Sequence, residues 1–122
     1  MVHPYRRRYV VIHITHPPDA GKGLLIKRIR DRTREMPEEE FRKLRSWVVY
    51  FQDGWSIIKF SGEATGTFLD MLNSLDGTLL KEGAFDFHIV GVSGTIRRAY
   101  MKYIPETVKA RKHYHEDRDG IR

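Results

Sequence analysis

The sequence predicts an α+β domain with helices packed on a four-stranded antiparallel sheet. Three observations support this prediction: patterns typical of strands and helices alternate along the chain, a clear hairpin lies near its centre, and 40% of the 122 residues are apolar. A chain of this length can bury a core of its own, and neither a repeat nor a linker divides it. One domain is therefore expected.

The first predicted strand is the stretch RYVVIHITH at residues 8–16, in which side chains alternate between two faces. Pro17 and Pro18 end this strand because neither can donate a ladder hydrogen bond. Asp19 is the expected N-cap of the helix that follows. The apolar side of that helix holds Leu24, Leu25, Ile26 and Ile29, and its solvent side holds Lys27, Arg28, Arg30, Arg32 and Arg34.

A second helical piece and a hairpin come next. Pro37 precedes three glutamates, which is typical of a helix start because proline fits the first turn and carboxylates favour the positive end of the helix dipole. Phe41 and Leu44 should anchor this piece in the core. Two β-rich runs then flank Asp53-Gly54, the dipeptide preferred in a tight type I′ turn, so a hairpin is predicted there.

The remaining patterns complete the order of elements. Residues 63–77 predict an amphipathic helix ended by a glycine, residues 84–92 a last strand, and residues 95–104 a last helix. The result is a ferredoxin-like (RRM-like) βαββαβ antiparallel sheet with an additional C-terminal helix, in an α/β sandwich. We expect the domain to occupy residues 1–105, and residues 106–122 to form a basic, mobile tail.

Both faces of the predicted sheet are apolar. In the second strand Trp47, Val49 and Phe51 should share one face and Val48 and Tyr50 the other, whereas a half-solvated antiparallel sheet alternates apolar with polar residues. The second face should therefore be covered, either by the final helix or by a partner protein. The expected partner contacts are Tyr9, Val11, Val48 and Tyr50.

Charge is segregated along the chain, whose formal net charge is +6. Residues 1–46 carry 12 Lys/Arg and 6 Asp/Glu, residues 47–92 carry 2 and 6, and residues 93–122 carry 8 and 4. Two basic ends thus flank an acidic middle. This distribution favours a protein that presents one face to a polyanion, and the alternative is a pair of solvated basic helices.

Several kinds of site find no support in the sequence. The chain has no cysteine, no histidine pair with a third ligand at a suitable spacing, and no apolar run long enough to span a bilayer. No catalytic residue and no metal ligand is therefore predicted. The loop DAGKG lacks P-loop spacing, and an RNP1 pattern is missing, so Trp47, Trp55 and Phe60 are expected in the core or at an interface.

The strongest candidate site is the junction GVSGTIRR at residues 91–98. Its two glycines allow the backbone to turn out of a strand, and Ser93 can cap a helix that begins near Thr95. The first amides of a helix attract phosphate oxygens, and two arginines follow in the first turn, where cations are unfavourable unless an anion binds. The predicted RNA contacts are Ser93, Gly94, Thr95, Arg97, Arg98 and Lys102, with Arg6, Arg7 and Arg8 as a second group.

The stretch GVSGTIRRAYMKY, together with RRRYVVIHI near the start, resembles the archaeal ribonuclease P protein component 2 family, counterpart of the eukaryotic Pop five subunit. The shared layout is a basic first strand, a helix, a hairpin, and a late Gly-Ser-Gly-Thr turn into a basic helix. It covers roughly residues 6 to 104, and its specific part is residues 91–98.

The resemblance implies a non-catalytic subunit that binds ribonuclease P RNA and supports 5′-leader removal from precursor tRNA. Catalysis in that complex belongs to the RNA and its Mg²⁺ ions, so no cofactor is expected on the protein. The implied protein partner is ribonuclease P protein component 3, and the expected assembly is a two-plus-two hetero-oligomer or a homodimer of this chain. The expected location is the cytoplasm, without a membrane partner.

Two alternatives stay open from the residues alone. One is a stand-alone ferredoxin-like protein that binds RNA or associates with the ribosome. The other is an acylphosphatase-like hydrolase, which shares this topology. That class usually needs an arginine in the loop after the first strand, where this chain has only lysine.

Overall fold

Four strands and five helices form the part of the chain that the computed structural model describes, residues 6–75 and 86–109. The strands are β1 (Arg7–His16), β2 (Trp47–Gln52), β3 (Trp55–Ser61) and β4 (Asp86–Ser93). The helices are α1 (Lys22–Thr33), α2 (Glu38–Leu44), α3 (Thr65–Asn73), α4 (Ile96–Tyr103) and α5 (Glu106–Lys109), and a 3₁₀ turn at Gly62–Ala64 precedes α3.

The sheet has the order β2-β3-β1-β4, and every neighbouring pair is antiparallel. The helices α1 and α2 connect β1 to β2, and α3 connects β3 to β4. Each connection therefore skips one strand, which defines the split βαβ arrangement. The predicted ferredoxin-like fold with an added C-terminal helix is confirmed.

The first face of the sheet packs against α1, α2 and α3. Phe60 of β3 stacks on Phe68 of α3 with ring centroids 4.4 Å apart, and both side chains are fully buried. Leu25 of α1 and Leu44 of α2 complete this core from the other helices. The alternating apolar positions of β1 and the amphipathic helices therefore meet as their patterns predict.

The second face of the sheet is covered by the chain's own C-terminal helices. Tyr100 of α4 meets Tyr50 edge to face at 5.4 Å, and Val108 of α5 is buried in the same cluster. The sequence predicted that either the final helix or a partner protein covers this face, and the structure shows the final helix there. Because Val108 is packed, residues 106–109 belong to the folded unit; the remainder of the predicted tail lies outside the described residues.

An extra residue in β2 changes which side chains share a face. Val48 pairs with Ile58 and Tyr50 with Ile57, so Val49 is inserted between them as a bulge. Val49 and Tyr50 both pack under α4, whereas Val48 and Phe51 pack on the side of α1 to α3. The predicted strict alternation along this strand is wrong, because a bulge shifts the period by one residue.

The hairpin and the start of α2 form where the sequence predicts them. Asp53 and Gly54 have φ angles of 51° and 84°, as a type I′ turn requires. Pro37 lies immediately before α2 with a φ of −57°. These predictions are confirmed because they depend on residues that are adjacent in the chain.

Three details of the helices differ from the predictions. Asp19 is not the N-cap of α1, which begins at Lys22 after Gly21 and has no side-chain cap. Phe41 does not anchor α2, since 49% of it is exposed and only Leu44 of the helix is buried. Arg28 is buried rather than solvent-facing. The predicted glycine at the end of the third helix lies outside the described residues.

Candidate nucleic-acid interface

A single threonine, Thr95, caps the start of α4. Thr95 has extended backbone angles, φ −135° and ψ 152°, and its Oγ1 accepts a hydrogen bond from the backbone N–H of Arg98 at 3.1 Å. Thr95 is thus the N-cap, and the predicted cap at Ser93 is wrong by two residues. Ser93 is buried, and its Oγ accepts instead from the Thr95 N–H at 3.5 Å.

The first turn of α4 carries cations and no acidic residue. Arg97 and Arg98 are both exposed there, as predicted, and Lys102 is exposed one turn beyond Arg98. Cations at the positive end of a helix cost a few tenths of a kcal/mol, and a bound anion removes that cost. The turn is therefore electrostatically suited to a phosphate.

The start of β1 lies beside this turn. Tyr9 pairs with Ser93 across the β1–β4 ladder, which places Arg8 next to Gly94. The Nη1 atom of Arg8 lies 3.1 Å from the position that a Cβ on Gly94 would occupy. The β1–β4 register thus places the arginines at the start of β1 at the same end of the sheet as the start of α4, about 90 residues later in the sequence.

Backbone pairing holds the neighbouring arginines of β1 at the same end of the sheet. Arg7 pairs with Ser61 of β3, and the carbonyl of Arg6 accepts a hydrogen bond from the Gly62 N–H at 2.5 Å. We name this end the basic corner and define it by its cations: Arg6, Arg7, Arg8, Arg97 and Arg98.

Three cations of the basic corner are not paired with a carboxylate of the described residues. Among the described residues no carboxylate lies within ion-pair distance of Arg7, Arg8 or Arg98. Guanidinium groups without an internal carboxylate remain available for an external anion. The corner is therefore a positively charged surface to which two separate elements, β1 and α4, contribute.

Gly91 serves the fold rather than an anion. A Cβ at this position would overlap the ring of Tyr103, which packs across β4 from the last turn of α4. The glycine therefore lets α4 approach the sheet closely. Of the two glycines in the junction, Gly91 seats the helix and Gly94 lies against Arg8.

The four residues predicted to contact a partner protein are buried within the chain. Tyr9, Val11 and Tyr50 pack under α4 and α5, and Val48 packs against the helices of the other face. Each is at most 8% exposed. We therefore correct this part of the interface prediction, because the final helix already occupies the apolar face on which it was based.

Sequence reasoning missed Lys59 and the position of Trp47. Lys59 pairs with Tyr9 on one side and with Trp47 on the other, and Trp47 is 63% exposed. The sequence predicted Trp47 either in the core or at an interface, and its exposure excludes the core. Lys59 stands out in the sequence as a lone cation in a largely apolar strand. Its role could not be predicted, because the residues beside it depend on strand register.

The opposite end of the sheet holds a different arrangement. His13 stacks on Trp55 at 4.1 Å and lies opposite His88 in the β1–β4 ladder. Burial, and then the charge of His88, lower the pKa of His13. Within residues 6–75 and 86–109, no three His, Asp or Glu side chains cluster as metal ligands would.

The fold and the basic corner define a ferredoxin-like α+β protein whose helix-covered sheet presents cations at one end. The model of the Rpp14/Pop5 family matches residues 8–104, and the chain belongs to this family of ribonuclease P protein subunits. No curated protein sequence matches the chain. Across the described ranges, no helix combines the length and apolar character needed to cross a bilayer.

Proposed function

We propose that the chain binds ribonuclease P RNA through the basic corner and thereby supports 5′-leader removal from precursor tRNA. The observation that carries this proposal is the position of Arg8 against Gly94, directly before the arginines of α4. Phosphates carry one negative charge per nucleotide, so clustered guanidinium groups supply a contact that does not depend on sequence. The chain acts as a binding subunit, and the RNA with its Mg²⁺ supplies the chemistry.

The proposed contacts divide by how firmly they are held. Thr95 uses its hydroxyl on the Arg98 N–H, so the phosphate contacts here come from the guanidinium groups and from the remaining first-turn amides. Strand pairing fixes the backbone positions of Arg7 and Arg8, and Lys102 adds a charge one turn along α4. The proposed contacts thus combine a paired strand with a helix start.

The first test replaces Arg97 and Arg98 together with Ala. Alanine is the best helix former, so α4 should persist, and each lost phosphate contact should reduce the salt dependence. We expect weaker binding to ribonuclease P RNA and a log–log salt slope that is shallower by about 1–2. The matched control is Arg42→Ala with Lys43→Ala on α2, which removes the same charge from the other face. Unchanged affinity and slope in the α4 variant would overturn the proposal.

The partner assignment needs a separate experiment. We propose that the chain assembles with ribonuclease P protein component 3, using surface other than the four buried residues. Co-elution of the two proteins in size-exclusion chromatography, and a gain in precursor tRNA cleavage when this chain completes a reconstituted enzyme, are the expected results. Tight RNA binding with neither co-elution nor a gain in cleavage would instead favour a stand-alone RNA-binding protein.

A further inference from the structure

The exposed indole of Trp47 is unusual for this small domain. Trp47 begins the edge strand β2 and is 63% exposed, and its indole N–H has no hydrogen-bond acceptor among the described residues. Large aromatic side chains normally bury most of their area, and exposed ones often mark binding surfaces. Trp47 is therefore a candidate for contact with a ligand and contributes little to the packing of the core.

The position of Trp47 follows from the strand registers. Trp47 pairs with Lys59, Lys59 with Tyr9, and Tyr9 with Ser93, so four side chains form one row across all four strands. We name these four residues the cross-sheet row. Tyr9 and Ser93 are buried at the α4 side, whereas Lys59 is half-buried and Trp47 is exposed. Three strand spacings give the row a length of about 14 Å.

The charge beside Trp47 is positive. Arg7 lies one step outward from Tyr9 on the same face of β1, and it also belongs to the basic corner. Burial, and then the charge of Arg7, lower the pKa of Lys59 below its ordinary value. No carboxylate of the described residues lies within ion-pair distance of Lys59. Two neighbouring cations without a counter-charge favour the binding of an anion.

We propose that Trp47 stacks on an unpaired RNA base, while Lys59 and Arg7 hold the adjoining phosphates. An aromatic face next to a cationic track is the arrangement by which proteins hold single-stranded nucleic acid. Arg7 connects the track to the basic corner, so the two surfaces form one continuous path. The inference rests on the proposed RNA-binding function and adds that part of the bound RNA is single-stranded.

A protein segment is the other occupant to consider. Trp47 also borders a groove of about 280 Å³ between α1, α2 and β2, at whose mouth Phe41 is half exposed. The groove is lined by Lys22 and Arg30 as well as by apolar side chains. Lys59 and Arg7 lie on the opposite face of the sheet, where α4 packs. Cations thus lie on both sides of the strand that begins at Trp47, which favours RNA, and binding of a protein alone is an outcome that the test must distinguish.

The test compares Trp47→Ala and Trp47→Phe in the full chain with the unmodified protein. The probe is a short oligouridylate, with a blunt RNA duplex of equal length as the control. For Trp47→Ala we expect binding of the single strand to be weaker by between about fivefold and a hundredfold, with an unchanged salt slope because no ion pair is lost. Trp47→Phe keeps an aromatic face and should stay within about threefold, and duplex binding should change little.

Two further readouts separate stacking from a general loss of structure. Tryptophan fluorescence should be quenched by the oligouridylate in the unmodified chain and not in Trp47→Phe, because Trp55 stacks on His13 at the other end of the sheet. Bound phosphate should also raise the pKa of Lys59, whose charged form it stabilises, as measured by NMR of the ammonium nitrogen. Across the β1–β3 ladder Lys59 pairs with Tyr9, and Arg7 lies one step outward on the same face of β1.

The outcomes distinguish this inference from the proposed function. If Trp47→Ala binds the single strand normally while Arg97→Ala with Arg98→Ala binds poorly, the stacking inference falls and the proposed function stands. If both variants bind RNA normally, both fall. If Trp47→Ala binds RNA normally but no longer associates with a protein partner, the surface belongs to that partner and the inference is wrong.

Discussion

The basic helix α1 and the basic corner differ in what surrounds their cations. On α1, Asp31 pairs with Lys27 at 3.1 Å and with Arg34 at 3.2 Å, and Glu35 pairs with Arg32. The hydrogen bond from Lys27 is the main cause that lowers the pKa of Asp31. Three of the six cations in residues 22–35 therefore pair with a carboxylate of the same segment.

The basic corner has the opposite character. Its cations come from β1 and α4, and among the described residues Arg7, Arg8 and Arg98 have no carboxylate partner. Pairs spaced three or four residues apart form within one helix, whereas the corner requires two strands and a helix end to meet. A run of basic residues is thus a weaker indicator of a polyanion site than cations gathered by tertiary structure.

The strongest test of this comparison reverses charge in each region by the same amount. In the corner the change is Arg8→Glu with Arg98→Glu, and on α1 it is Lys27→Glu with Arg34→Glu. At about 0.1 M salt we expect the corner variant to bind ribonuclease P RNA at least about tenfold more weakly and the α1 variant less than about threefold, as measured by fluorescence anisotropy. Equal losses would mean that net charge alone sets the affinity.

A second test asks whether the corner depends on how α4 is seated. Gly91→Ala forces the ring of Tyr103 to move, so we expect the free energy of unfolding to fall by about 1–3 kcal/mol and RNA binding to weaken. Thermal and urea unfolding provide the measurement. The control is Gly23→Ala on α1, where a Cβ meets nothing within 4 Å and stability should rise by up to about 1 kcal/mol.

The link between Gly91 and Tyr103 can be separated from a backbone effect. Adding Tyr103→Ala removes the ring that the new methyl group would strike, so the two substitutions together should cost less than the sum of their separate costs. Strict additivity would show that the cost of Gly91→Ala does not come from the ring of Tyr103.

The smallest expected effect concerns the carboxylate that neutralises α1. Asp31→Asn removes the carboxylate that Lys27 and Arg34 share, and exposed ion pairs of this kind contribute little to stability. Affinity for RNA should rise less than about twofold, because α1 lies on the face of the sheet away from α4. A large gain in affinity would place the RNA path along α1 instead.

Local features of the fold were predictable in detail. The Asp53-Gly54 turn, the start of α2 after Pro37 and the placement of Arg97 and Arg98 in a first helical turn each depend on a few adjacent residues. The cap on Thr95 rather than on Ser93 shows the limit of this reasoning. Both side chains could cap, and Ser93 is excluded because the β1–β4 ladder still holds it in the strand.

Features that depend on register could not be predicted. The bulge at Val49 places Tyr50 under α4 and reverses the expected faces of β2, and nothing in the local pattern marks the inserted residue. The exposure of Trp47 could not be predicted either, because it depends on helix packing. The helix α4 packs mainly on β4, β1 and β3, and Trp47 at the start of β2 is left exposed.

The amino-acid sequence by itself determined the order of the elements, the hairpin, and the presence of arginines at a helix start. Turn geometry, helix caps and hydrophobic periodicity are set by residues within about one helical turn of each other. Only the tertiary structure decided that Arg8 lies against Gly94, that α4 rather than a partner covers the second face, and that Trp47 and Lys59 lie in one row. Strand register and helix packing join residues far apart in the chain, and no short pattern encodes them.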